Sequence, residues 1–418
     1  MPVSLQQVAV VVLSLLPACA GPTAGFKQQT HVSVAELGRQ RQAASQATEA
    51  LRAGAFDRAE QSAEAALGQE PSNAYGHLVR AITRYKKTMH QLSTDVRTVA
   101  FGALRAGGFN HRYMRSALEQ AGGDLARVEQ DLAAAAHPDI SLEICLACWE
   151  VDWNHNGRVD SRDRLLFQIE QDARGRSIPE DDPRRRPTFR FDQGDVAWAR
   201  AFVAFQRGAL DLVLAYNWTE VDRLFLLTRG SGQEPTITIR MARPELVARG
   251  RGRILEGLVF ADEARKAYLA ESDDDREWVP NPRQKNHPMP LPVDDRLYET
   301  WELITGDLRR LIEGEEGLSV ERLAQLGDHQ WDNPPRGYVD IGGMLSRPKD
   351  IVFQVKQLAS LDRKAGDVEA LLNSVLGEYY VEKMKPSPIT GRLSRMKQEV
   401  KRGEETLERK LRYLIWLN

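Results

Sequence analysis

The chain has 418 residues, of which 42% are hydrophobic and 28% charged, and its net charge is −2. That is enough apolar material for large cores and, as a prior, for two or three domains. So neutral a balance excludes broad attraction to nucleic acid, and the Arg184-Arg185-Arg186 triplet, set between Asp181, Asp182 and two prolines, reads as a solvated loop.

Val8 to Leu16 is a run of about nine mostly apolar residues, the length of a signal-peptide core and far short of the ~20 that span a bilayer. Leu16-Pro17-Ala18-Cys19 follows directly and resembles the bacterial lipobox, whose cysteine is acylated and becomes the mature N-terminus. The resemblance implies lipid on Cys19 and, because Ala20 rather than Asp comes next, an outer-membrane lipoprotein facing the periplasm. The rival reading is cleavage after Ala18-Cys19-Ala20, which releases a soluble periplasmic protein. Residues 1–18 are thus expected to be a signal peptide and 19–34 a tether, in a protein of the bacterial cell envelope.

Helical periodicity dominates the rest, so the expected fold is mainly α with few short strands. Between 35 and 180, Gly54 and Phe56 mark a turn, Ala59 and Ala66 are small enough for helices to approach, and Pro71 ends a helix. This spacing resembles one tetratricopeptide repeat, with half of another from Ala74; the resemblance implies helical hairpins that contact other proteins. Helices are expected to continue over Ser93–Ala106 and Arg112–Ala136.

Asp152 to Asp163 reads D-W-N-H-N-G-R-V-D-S-R-D, with oxygen-bearing side chains at positions one, three, five, nine and twelve around Gly157. Ca²⁺ takes six to eight oxygens, so a chain that wraps it must turn sharply while offering oxygens at alternate residues. The run resembles EF-hand loops of the exported, dockerin-like type. The resemblance implies Ca²⁺ held by Asp152, Asn154, Asn156, the Arg158 carbonyl, Asp160 and Asp163. Asp163 stands where a bidentate Glu is usual, and only three ligands are carboxylates, which suits weak, extracytoplasmic calcium. Leu142, Cys145, Leu146 and Trp149 before the loop, and Leu165, Leu166 and Ile169 after it, recur at helical spacing and predict a helix–loop–helix. Cys145 and Cys148 are either buried thiols or a local disulfide, since redox, haem and zinc motifs each lack a required neighbour. Asp332 to Asp340 has glycine, valine and aspartate at positions six, eight and nine but lacks ligands at three, five and twelve, and reads as a turn before a short strand rather than a metal-free second loop.

Within 181–272, Asp192 to Trp218 is the most apolar stretch after the leader and predicts a central buried helix, while Thr236–Met241 alternates as a strand does. Residues 273–293 are dense in proline and read as an ordered strap. Over 294–418 the chain predicts a helical region: Asp294–Glu313, Ser319–Leu326, Pro348–Leu361, Val368–Lys383 and Leu393–Leu417.

No G-x-S-x-G, H-E-x-x-H or G-x-x-x-x-G-K-[ST] occurs, and no catalytic residue is assigned. Asp273, Asp274, Asp275 and Glu277, near Trp278 and His287, form the best carboxylate group for glycan cleavage and read as a solvated helix end. The expectation is a lipid-anchored, calcium-binding helical scaffold that makes protein–protein contacts with an envelope partner and is not an enzyme. The alternative is a solute-binding lipoprotein of an envelope transporter, with a small-molecule ligand between helices. A cell-wall glycan hydrolase comes third.

Overall fold

The computed structural model describes residues 33–402, apart from 107, 153–155, 161–162, 164–167, 171, 173–175, 223–235, 275, 288–293, 327–334 and 355–364. The fold is mainly α.

The first five helices are α1 (Val34–Ala43), α2 (Ser45–Arg52), α3 (Phe56–Gln69), α4 (Ala74–Ala106) and α5 (His111–Ala135). Gly54, at φ +70°, reverses the chain between α2 and α3, a conformation open to a residue without Cβ. Ala59, Ala63 and Ala66 form the buried face of α3. Asn73 ties the start of α4 down twice: its Oδ1 accepts the Gly76 N–H at 2.8 Å and its Nδ2 donates to the Gln40 carbonyl at 3.0 Å. With no proline between 74 and 106, the expected half-repeat and the separate Ser93–Ala106 helix fuse into one helix of 33 residues.

The helix expected ahead of the calcium loop is not there. Leu142–Ile144 is instead a strand, β1, followed by a single 3₁₀ turn at Leu146–Cys148. Leu142 and Ile144 are buried with Glu143 between them, a period of two that outweighs the three-and-four spacing. β1 pairs antiparallel with β2 (Phe189–Phe191), and Cys145 and Cys148 are joined as a disulfide across the turn. Leu165 and Leu166, expected beyond the loop, lie outside the described residues; Ile169 is buried coil.

α6 (Gln193–Ala215) is the central buried helix, begun by a reciprocal capping box between Asp192 and Asp195. It packs along α7 (Pro244–Ala270), a helix that periodicity does not single out because glycines and arginines dilute its apolar stripe. Contact is close: a Cβ on Gly250 would sit 2.9 Å from the Gly208 carbonyl oxygen, and one on Gly257 2.6 Å from the Phe205 ring.

β4 (Thr236–Met241) forms where expected, between β3 (Tyr216–Asn217) and β7 (Ile351–Gln354). β7 replaces the start of the helix expected over Pro348–Leu361: Ile351 and Phe353 alternate with exposed Val352 and Gln354, and the ladder to Ile237–Ile239 takes up their backbone groups. α8 (Asp295–Glu313) stops at Gly314, φ +82°. β5 (Leu318–Ser319), α9 (Val320–Leu326), β6 (Tyr338–Val339), α10 (Ile341–Ser346), α11 (Ala365–Leu376), β8 (Tyr380–Val381) and α12 (Ile389–Arg402) complete the order. β6 joins β5 to β8, in line with a turn-and-strand reading of this stretch, though Asp332 lies outside the described residues. The helix expected over Val368–Lys383 ends at Leu376, and Tyr380 turns into β8.

The largest core runs from Leu37 to Tyr298, through residues that the sequence divides among several segments. It includes Trp278 and Val279 of the strap. A second core lies between α6 and α7 and takes in Ile312. Among the described residues no helix is long and apolar enough to cross a membrane.

Candidate functional site

Within Asp152–Asp163, Gly157 has φ +83°, so the turn expected there forms. The Asp152 carboxylate accepts the N–H groups of Asn156 at 3.1 Å and Gly157 at 2.7 Å. Asn156 Oδ1 accepts the Arg158 N–H at 2.8 Å, and its Nδ2 donates to Asp160 at 3.2 Å. The buried Asp163 accepts the Asp160 N–H at 3.0 Å. Asp152, Asn156, Arg158, Asp160 and Asp163 therefore share one curled loop; Asn154 and Cys19 lie outside the described residues. The loop is docked on the body. His90 of α4 lies 3.2 Å from the Asp152 carbonyl, and the Trp149 indole donates to the Leu51 carbonyl at 2.8 Å while its ring meets Phe56 edge-on.

A second polar site went unread in the sequence. Glu277 is no solvated helix end: it is 1% exposed, bridged to Arg190 of β2. Among the described residues, Asp192, Glu271 and Glu277 are the acidic side chains whose oxygens come within 4.8 Å of one another. Asp195 adjoins them, accepting the Asp192 N–H at 3.0 Å and the Tyr268 hydroxyl at 2.8 Å. Burial, then the neighbouring Asp192 charge, pushes the Asp195 carboxyl far above the usual carboxylate range. Burial and the surrounding carboxylates push Glu271 up to about 10. Burial also raises Asp192, against the opposing pull of its hydrogen bonds and of Arg190. Like charges this close in a dry site cannot all ionise, so the group holds protons at neutral pH. Shared protons or a divalent cation are the two chemistries that satisfy such a set. The remaining strap carboxylates serve structure: Asp273 accepts from Arg190 at 2.7 Å and Asp274 from the N–H groups of Lys285 and Asn286 at 2.8 Å. Asp275 lies outside the described residues. Their position in a run of acids hid Glu277, because pairing with β2 is a long-range fact that local sequence does not carry.

Next to the acidic group lies a half-open cavity of about 160 Å³. α4 contributes Leu78, Ile82, Tyr85 and Lys86, and α6 contributes Trp198 and Phe202. Ile144 and Leu146 come from the segment ahead of Asp152, Phe191 from β2 and Trp278 from the strap. Asp195 stands both in the carboxylate group and on the cavity wall. Gln206 donates to the Tyr85 hydroxyl at 2.9 Å and fixes that ring, whose own acidity burial suppresses. The wall is otherwise apolar and aromatic, the composition of sites that hold small organic ligands.

Fold and site thus define a mainly α protein with a half-open, largely apolar cavity whose wall includes Asp195 of a buried acidic group. No family model matches this chain, and neither a curated protein nor a solved structure matches it.

Proposed function

We propose that the chain is a calcium-binding envelope protein, anchored by lipid on Cys19, whose helical body carries a small and largely apolar ligand. The observation that carries this reading is the aromatic-lined cavity between α4, α5 and α6. Its volume is close to the ~150 Å³ that holds a benzene-sized molecule in an engineered cavity. The Cys145–Cys148 disulfide fits an exported, oxidising compartment. Calcium at Asp152–Asp163 would brace one wall, since Ile144 and Leu146 precede the loop directly and its oxygens would turn inward from the amides they accept. The cavity ranks this solute-binding reading above a pure contact scaffold. The scaffold reading keeps one observation of its own: Val96, Phe101 and Tyr113 are exposed where α4 gives way to α5. Among the described residues lining the cavity, Asp195 is the one carboxyl group, where glycan cleavage works with a pair.

Native mass spectrometry of the mature protein is expected to show a retained small molecule, absent from Ala199→Phe, which fills the cavity. Identical spectra for parent and variant would remove the reading. Calorimetry tests the metal separately: calcium-dependent heat in the parent, none in Asp152→Ala, and full heat in Glu277→Gln. No heat in the parent eliminates the loop as a site.

A further inference from the structure

The Cys145–Cys148 disulfide takes no part in the cavity or in the acidic group. It sits where β1 gives way to a 3₁₀ turn, and not inside a helix. The bond holds little together. Its ends are three apart in sequence, so closing that loop removes little entropy from the unfolded chain. The same two residues are already joined through the backbone, where the Cys148 N–H donates to the Cys145 carbonyl at 3.2 Å. On either side the turn is fixed without it: Ile144 pairs with Phe189 in the ladder, and the Trp149 indole is tied to the Leu51 carbonyl. The two sulfurs differ in surroundings. Cys148 is exposed between buried Ala147 and buried Trp149, a placement that packing does not explain for a residue type usually found inside. Cys145 is half-buried, and its Sγ lies 3.4 Å from the Arg186 carbonyl oxygen. A disulfide sulfur has no proton to give that oxygen, whereas a thiol in the same place donates one. The reduced pair therefore gains a hydrogen bond that the oxidised pair lacks.

We propose that Cys145 and Cys148 form a reversible thiol–disulfide exchange site, which takes two electrons from a dithiol and is attacked at Cys148. A thiolate of the dithiol attacks Cys148 Sγ, a mixed disulfide forms, and Cys145 leaves with the electron pair of the broken S–S bond. Cys145 then takes a proton from water and donates its S–H to the Arg186 carbonyl. The second thiol of the partner, losing its proton to water, attacks the partner's own sulfur in the mixed disulfide and expels Cys148 as a thiolate. The partner departs as a disulfide, and this chain keeps two reduced cysteines. Exposed disulfides are the labile and catalytic kind, whereas structural ones resist the glutathione pool. The inference stands apart from the calcium and ligand readings given above.

The test equilibrates the mature protein, without denaturant, in buffers of graded reduced-to-oxidised glutathione ratio. Acid quenching, alkylation and peptide mass spectrometry then read Cys145 and Cys148 individually, while circular dichroism follows the fold. The two cysteines are expected to become labelled together within the range that glutathione spans, with the helical signal unchanged. A pair that stays oxidised at every ratio, or that is reduced only as the helical signal disappears, is a structural bond and overturns the proposal. Direction is tested with Cys145→Ser and Cys148→Ser, each left with one thiol of the pair: oxidised glutathione should capture Cys148 about tenfold or more faster than Cys145. Equal rates, or a faster Cys145, overturn the assignment of Cys148 as the attacked sulfur. Dihydrolipoamide and a reduced peptide with two cysteines separate the sources of the dithiol. Oxidation of about one equivalent of the first alone assigns a small dithiol, and of the peptide a polypeptide one. Oxidation of neither overturns the exchange.

Discussion

At the scale of single residues, the carboxyl groups of Asp192, Asp195 and Glu271 have an unusual thermodynamic sign. Groups whose folded pKa lies above the unfolded value bind more protons when folded. The stability they lend is greatest in acid and drains away as pH rises from the ordinary ~4 toward the value of about 10 reached by Glu271. Glu277, Arg190, Tyr268 and Tyr298 are the other ionisable side chains facing them, and burial keeps the tyrosines protonated across this window. Glu271→Gln imitates the protonated acid: its amide can donate to Asp192 and still accept from Gln284. The variant should melt about 2–4 °C higher than the parent at pH 9 and show little gain at pH 4. Melting curves collected from pH 4 to 9 decide this, and parallel curves for the two proteins would refute it. A simpler prediction concerns Trp149, buried, hydrogen-bonded and stacked edge-on to Phe56. Trp149→Ala should cost about 3–5 kcal/mol in urea unfolding.

Among elements, the contact between α6 and α7 depends on the absence of side chains. Gly250 faces a backbone carbonyl that cannot retreat, whereas nothing lies within 4 Å of a Cβ placed on Gly252. Gly250→Ala is therefore expected to destabilise by about 1–3 kcal/mol, and Gly252→Ala to stabilise by up to about 1 kcal/mol through helix propensity. Denaturant midpoints of the pair give the comparison; equal shifts would show that the helices are not in this register. The same pairing explains what could be read in the sequence. α6 and α8 were legible because their apolar residues recur on one face, and β4 because Thr236 to Met241 alternates. α7 was not, its glycines serving packing rather than pattern. β1 and β7 carry helical spacing in the sequence, yet a three- or four-residue strand takes its identity from the partner, Phe191 for Leu142 and Ile237 for Phe353. The loop around Gly157 was legible residue by residue. The acidic group needed residues 192, 271 and 277 to meet, and only the folded chain brings them together.

For the whole molecule, one element spans what would otherwise be separate sites. Asn73, just before α4, is locked to α1; the helix then supplies Leu78, Ile82, Tyr85 and Lys86 to the cavity; and its His90 reaches the carbonyl of Asp152 at the start of the Asp152–Asp163 loop. A rigid rod that touches both places has a thermodynamic corollary. Whatever factor calcium applies to the affinity for a ligand of the cavity, that ligand must apply to the affinity for calcium, because the free energy around the cycle closes. The two titrations, each repeated with the other partner saturating, should therefore yield the same ratio, and Leu78→Pro, which breaks the rod, should bring that ratio toward one. If both places fill as proposed, the unbroken helix from 74 to 106 acts as a transmission shaft, and the calcium concentration sets how firmly the cavity's ligand is held.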